Sequence, residues 1–403
     1  DFNNSTQLAE ATNRLLGNEK LRSKMRIAGL QKTAATAWEN TAIAYAHLFN
    51  TVLQKEQSLI YSLPPISIAH IKRMSRSFGM IQFSKGNRPD IKTGYTLDDN
   101  VRALMALCHV YVKTKDPSCE KYIKKYLTFI RYCQQPDGSF LNYVDKQLAF
   151  TTQNAEINLE DSNARAIYAL GYFISLRGKF PDVWTEDATE IIEQTFDMIM
   201  KMKSPRSIAY IIKGLYHFEQ AYPSKEVREM TMHLADQLVH YYHQNAENNW
   251  HWFEAYLTYD NSIIPESLLY AYQVIKNETY KETARESFHF LLHHIFTKEQ
   301  IKVVSNQGWF QKEGNRNCYG EQPIEIAGTV MALSTFYSVF GEEQYLIKQQ
   351  IAFSWFLGNN HLRQIIYNPA TGGCYDGLEE HNINLNQGAE STVCYLLARL
   401  IIK

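Results

Sequence analysis

Thr96-Leu97-Asp98-Asp99-Asn100-Val101-Arg102-Ala103-Leu104 opens with a polar cluster and runs straight into small and apolar residues at helical spacing. The same junction recurs at Leu159-Glu160-Asp161-Ser162-Asn163, Ser204-Pro205-Arg206-Ser207, Pro265-Glu266-Ser267, Glu321-Gln322-Pro323-Ile324-Glu325 and Asn386-Gln387-Gly388-Ala389-Glu390-Ser391. Six such entrances, about 45–65 residues apart, are what six helical hairpins give. If the hairpins close into a ring, the second helices all start at one mouth, lined with carboxylates, amides and an arginine. A polar pocket of that kind is the default site for the chain.

The apolar periodicity around these entrances pairs 66–78 with 98–114, 117–134 with 160–176, 185–203 with 206–222, 225–245 with 262–276, 279–296 with 323–340, and 342–358 with 387–402. Long loops fall around 79–97, 135–159, 246–261, 297–322 and 359–386, where binding residues are usually carried. Pro136-Asp137-Gly138-Ser139 reads as a structural turn. Twelve helices in six hairpins over about 340 residues resemble the (α/α)6 toroid of many glycoside hydrolases, polysaccharide lyases and sugar epimerases. The expected fold is therefore all-α, a toroid over 66–403 with a helical appendage over 1–56 and a linker at 57–65, where Pro64-Pro65 disfavours helix. An open solenoid would show equal repeat spacing, which is missing here.

The appendage reads as three short helices, from Ser5 to about Leu16, from Glu19 to Ala28 and from Ala37 to Leu53. Its residues Leu8-Ala9-Glu10-Ala11, Leu15-Leu16-Gly17-Asn18-Glu19-Lys20-Leu21-Arg22-Ser23-Lys24-Met25, Ala37-Trp38-Glu39-Asn40-Thr41-Ala42 and Tyr45 are similar to the C-terminal tail of a retaining family 4 glycosyltransferase of the two-Rossmann-domain type. In that family the tail follows the sugar-nucleotide site and crosses back to the first domain. The family's donor-binding acidic motif and glycine-rich loops are absent, so the resemblance implies an upstream glycosyltransferase domain in the same chain. A generic helical cap is the alternative.

The 403 residues carry 41 Lys+Arg against 42 Asp+Glu. That balance, with no basic stripe, excludes a nucleic-acid footprint. No apolar run reaches about 18 residues, so no membrane span is expected. The six cysteines are scattered with no CxxC pair, which reads as free thiols in a reducing, cytoplasmic compartment. Asp1 in place of a methionine reads as a fragment or processed form, and no signal peptide is recognised. There is no HExxH, P-loop, GxGxxG or nucleophile elbow, so neither metal nor cofactor is expected.

Breaking a glycosidic bond takes two carboxyl groups, one protonated and one that activates water or attacks the anomeric carbon. The entrances and loops offer Asp98, Asp99, Glu160, Asp161, Glu254, Asp260, Glu266, Glu321, Glu325 and Glu390. Asp99 and Asp161 are expected nearest the reaction, with Glu254, Glu325 and Glu390 as competing acids. Asp, Ser and Asn are also the preferred helix caps, and acids in a first turn suit the helix dipole, so the same residues have a purely structural reading. Asp98, Asn100, Glu160, Arg165, Glu266, Glu321, Asn386 and Gln387 are expected to bind substrate. Trp250, Trp252, Tyr259 and Trp309 are candidate sugar-stacking platforms. Pro323 suits a first helical turn and would set Glu321 and Glu325 on one face, with Arg316 orienting a carboxylate or binding an anion. The partner implied is an oligosaccharide or polysaccharide. Three functions stand open: cleavage of a glycosidic bond, non-catalytic glycan binding or scaffolding for a glycosyltransferase, and sugar epimerisation or isomerisation, for which His251 is the best-placed base.

Overall fold

A computed structural model describes residues 4–54 and 59–402. Residues 1–3, 55–58 and 403, and with them the start of the expected linker, lie outside the described residues. Helices α1 (Ser5–Leu16), α2 (Glu19–Ala34) and α3 (Trp38–Val52) lead the chain. Asn4 and Asn18 cap the first two by accepting the N–H of Gln7 and of Leu21. Contact with the body is narrow. Asn40 Oδ1 accepts the Ile365 N–H at 2.8 Å, and Ile43 packs against Gly358.

The body is a succession of hairpins. The first pairs α4 (Ala69–Met74) with α5 (Leu97–Thr114), and the second pairs α6 (Glu120–Cys133) with α8 (Glu160–Ser175) across the single-turn α7 (Gln153–Glu156). The third runs from α9 (Asp182–Glu193) through the short α10 (Phe196–Ile199) to α11 (Pro205–Ala221). Then come α12 (Lys225–Asn245) with α13 (Ile263–Ile275), α14 (Glu278–Ile295) with α15 (Pro323–Phe340), and α16 (Glu343–Ser354) with α17 (Ala389–Ile401). The second helices pack each on the next, and α17 packs on α5, which closes an (α/α)6 ring.

Burial follows from position in the ring. Outer helix α12 buries only Val227, Met230, Thr231, Leu234, Ala235, Leu238 and Tyr242, the stripe of a helix with one apolar face. Inner helix α11 buries every residue from Arg206 to Leu215. Its contact with α8 is the tightest kind, backbone on backbone, because a Cβ on Gly171 would lie 2.2 Å from the Gly214 carbonyl oxygen. Helix α15 is long and apolar enough to cross a membrane, and it is one of these packed inner helices.

Two expected helices are shorter than the periodicity suggests. The first ends at Met74, where Ser75 turns to pair with Met80. The third breaks after Glu193, where the Gln194 carbonyl lies against Gly138 of the preceding loop. At the end of the ring where the inner helices begin, two-residue antiparallel ladders stitch neighbouring loops together. Tyr95–Thr96 pairs with Tyr143–Val144, and Tyr256–Leu257 with Phe310–Gln311. All six cysteines are free, and only Cys318 is exposed.

Candidate active site

The mouth is built from the first turns of the inner helices. Asp98 on α5 accepts from Arg102 Nη1 at 2.9 Å, one helical turn on, and from Arg165 Nη1 of α8 at 3.0 Å. Arg102 Nη2 lies 3.1 Å from Glu390 Oε2 on α17. Asp161 at the start of α8 accepts the Ser207 hydroxyl of α11 at 2.6 Å and is hydrogen-bonded by the Tyr259 hydroxyl. Arg206, buried at the second position of α11 after Pro205, donates to Glu254 Oε2 at 2.8 Å and to the Tyr259 carbonyl at 3.0 Å. The arginines also cover rings. The Arg165 guanidinium sits 4.7 Å from the Tyr210 centroid, and that of Arg206 5.1 Å from Tyr259. Acids and arginines thus alternate along an arc: Glu390, Arg102, Asp98, Arg165, Asp161, Arg206, Glu254. Trp309, half-buried, sets its ring 6.1 Å from Tyr259 beside the arc.

Environment separates the acids. Burial alone would raise the Asp98 carboxyl, but the Arg102 and Arg165 charges outweigh it and hold it below its ordinary value. Glu254 moves the other way: burial pushes it up, the Asp161 charge adds to this, and Arg206 opposes it. Pairs pushed apart in this sense are how one site keeps both an acid and a base.

Beneath the arc, on the ring axis, lies a cavity whose wall includes Arg102, Arg165, Tyr210 and Asp260 and whose floor includes Met105, Ala169, Ala327 and Met331. Three buried polar atoms on this wall have no hydrogen-bond partner: Arg102 Nη2 (close to Glu390 but off the line of a bond), Arg165 Nε and Asp260 Oδ1. Asp260 has a positive φ of 46°, its Oδ2 takes the Tyr210 hydroxyl, and its Oδ1 overhangs Gly328, where a Cβ would lie 2.2 Å away. Its own N–H goes to Glu325, which burial and the Asp260 charge push up to about 8. Deeper still, Lys213 and Glu266 form an ion pair at 2.7 Å, with the ammonium over the rings of Tyr168 and Tyr270. This pair stoppers the axis.

Several expected site residues stand elsewhere. Asp99 is a capping residue. It receives the Thr96 hydroxyl at 2.6 Å and returns its N–H to Thr96 Oγ1, its Oδ1 lies 3.9 Å from Arg102 Nη1, and burial with the Asp98 charge pushes it up to about 8. Asn100 bonds the backbone of Met80 and Thr96. Glu160 accepts the N–H groups of Lys203 and Ser204. Trp250 and Trp252 are core residues, 5% and 0% exposed, so neither is a platform; an aromatic run in a loop over the ring packs inward. Glu321 and Glu325 do not share a face. Glu321 precedes α15 and accepts from Trp355 Nε1 at 2.7 Å. Arg316 donates from Nη1 and Nη2 to the carbonyls of His294, Lys302 and Val303, leaving its buried Nε without a partner. Asn386 and Gln387 hold Gly86, Thr371 and Ser84 in the loops, and Glu266 lies in the stopper. His251 is exposed beside Phe290, away from arc and cavity. Among the described residues no group of three metal-ligating side chains gathers.

Arg102, Arg206, Ser207 and Tyr210 were not among the site residues expected from the sequence. The signal for Arg102 was available: a lone charge inside an otherwise apolar inner helix must be paired, and Asp98 lies one turn before it.

No protein-family model and no curated protein sequence matches the chain. Solved structures do match its fold. A D-mannose isomerase superposes with a TM-score of 0.60 at 14% identity, over 90% of this chain and 98% of that one. A sugar epimerase from a ruminal bacterium gives 0.63 at 13% identity, over 82% and 94%. An α-1,6-mannanase from Salegentibacter, solved with α-1,6-mannotriose as a variant inactivated by changing two consecutive aspartates to asparagine, gives 0.55 at 11% identity, over 83% and 95%. The chain is thus an all-α protein of the (α/α)6-toroid class, a fold it shares with sugar isomerases, epimerases and glycoside hydrolases.

Proposed function

We propose that the ring mouth binds a saccharide and breaks a glycosidic bond, with Glu254 as proton donor and Asp161 as the partnering carboxylate. The observation that carries this is the arc itself, which sets a carboxyl raised by burial next to a carboxylate held by hydroxyls. Tyr259 and Trp309 border it as a surface for a sugar face. Asp98 keeps Arg102 and Arg165 in place and, with Glu390, binds sugar hydroxyls. In the mannanase neighbour two consecutive aspartates are the inactivating positions; here the doublet divides its work, Asp98 facing the mouth and Asp99 capping the helix. The test is release of sugar from manno-, gluco- and galacto-oligosaccharides, with and without phosphate. Cleavage that disappears in Asp161→Asn and Glu254→Gln supports the assignment, and cleavage that survives both removes it.

A second reading rests on the appendage. Trp38 is 86% exposed and Val52 70%, and Leu8, Leu16 and Phe49 are also exposed. An apolar surface of this kind is usually an interaction site. In this reading residues 4–54 are the tail of a glycosyltransferase domain in the same chain, and the ring holds that domain's glycan. Glycan binding without cleavage favours it.

A further inference from the structure

We infer that the ring reads the end of a saccharide by seating one exocyclic hydroxymethyl group of a terminal hexose in the axial cavity. The inference rests on the proposal that the mouth binds a saccharide, and it specifies which part of the sugar enters first. Size is the first ground. The centres of water-sized molecules have about 40 Å³ to occupy, room for a small exocyclic group of a carbon and an oxygen. The stopper of Lys213, Glu266, Tyr168 and Tyr270 closes the axis below, so no chain threads through.

Chemistry is the second ground. The polar atoms on the cavity wall are two donors, Arg165 Nε with no partner and Arg102 Nη2 at 3.1 Å from Glu390 Oε2 but off the line of a hydrogen bond, and one unpartnered acceptor, Asp260 Oδ1, all on side chains about 5–6% exposed. A hydroxyl both accepts and donates, so one oxygen answers both kinds. Met105, Met331, Ala169 and Ala327 then face the methylene. Gly328 keeps the acceptor in place, since any side chain there would displace Asp260 Oδ1. On a 1,6-linked glycan only the non-reducing terminal residue has this hydroxymethyl free.

The test uses the full chain and matched methyl glycosides in gluco, manno and galacto configurations, each as hexose, 6-deoxyhexose and pentose, with binding read by calorimetry. Losing a hydroxyl that meets buried charged partners is expected to weaken binding about 10- to 100-fold, with the pentose no better than the 6-deoxy sugar. Ala327→Val, which fills the floor without touching the polar atoms, is expected to bring hexose binding down to the pentose level and leave pentose binding unchanged. Equal binding of all three members of the series overturns the inference while leaving saccharide binding intact. No binding by any glycoside or oligosaccharide overturns both.

Discussion

Replacing Glu325 with glutamine is expected to stabilise the protein in alkaline solution and to flatten its dependence on pH. Glu325 is 6% exposed and lies beneath Asp260, whose N–H it accepts, while Asn261 Nδ2 approaches its other oxygen at 3.3 Å. Burial and the Asp260 charge move it from an ordinary 4.5 to about 8. The folded protein therefore holds a proton on Glu325 that the unfolded chain has released by neutral pH. A carboxyl raised in the folded state contributes fully below its unfolded value, and that contribution is lost as pH rises through the folded one. At 1.36 kcal/mol per unit, the whole shift is worth about 5 kcal/mol, of which about 3 kcal/mol falls between pH 5.5 and 8.5. Asp99 at about 8 and Glu321 at about 7 act in the same direction, so wild type falls further than Glu325 alone requires. Glutamine removes only the Glu325 part. It costs about 1 kcal/mol at every pH through its amide facing Asn261, which cancels when slopes are compared. Urea unfolding at pH 5.5 and 8.5 reads the two slopes. Equal slopes for wild type and Glu325→Gln refute the reasoning. Turnover lost in Glu325→Gln at pH 7 with folding intact would place Glu325 among the reacting groups.

Gly171→Ala forces the α8 and α11 backbones apart, since its Cβ meets the Gly214 carbonyl at 2.2 Å; a loss of about 3 kcal/mol is expected in denaturant unfolding. Lys213→Met leaves Glu266 buried with only the Thr335 hydroxyl. It is expected to cost about 3–5 kcal/mol, much of it recovered in Lys213→Met/Glu266→Leu. Tyr259→Phe removes a hydroxyl from Asp161 and is expected to lower kcat by about tenfold with the melting temperature unchanged.

The hairpins were legible because each inner helix announces itself twice, by a polar first turn and by apolar residues on every side thereafter. The start of α8 at Glu160 and of α11 at Pro205 could be read this way to within a residue or two. Which acid of an entrance faces the mouth was not legible from the doublet alone. Asp98 and Asp99 are adjacent, so about 100° of helix rotation sends one between both arginines and the other to the cap, where it comes within 3.9 Å of Arg102 alone. The spacing Thr96-x-x-Asp99 is a capping pattern and marks Asp99 as the structural member. Trp250 and Trp252 misled for a different reason. A loop that crosses the rim needs its own core, and alternating aromatics supply it against Phe290 and Phe310. Arg102 and Lys213 were hidden inside helices whose period reads as wholly apolar, although each buried charge implied a partner across the ring.

The proposal that the arc breaks a glycosidic bond is tested most directly by a product analysis of this chain on the oligosaccharide panel, resolving cleaved, isomerised and unchanged sugar. Cleavage that falls by at least about 10³ in both Glu254→Gln and Asp161→Asn, with unfolding curves unchanged, is the predicted result. Isomerisation without cleavage, or glycan binding with every sugar recovered intact, would contradict it.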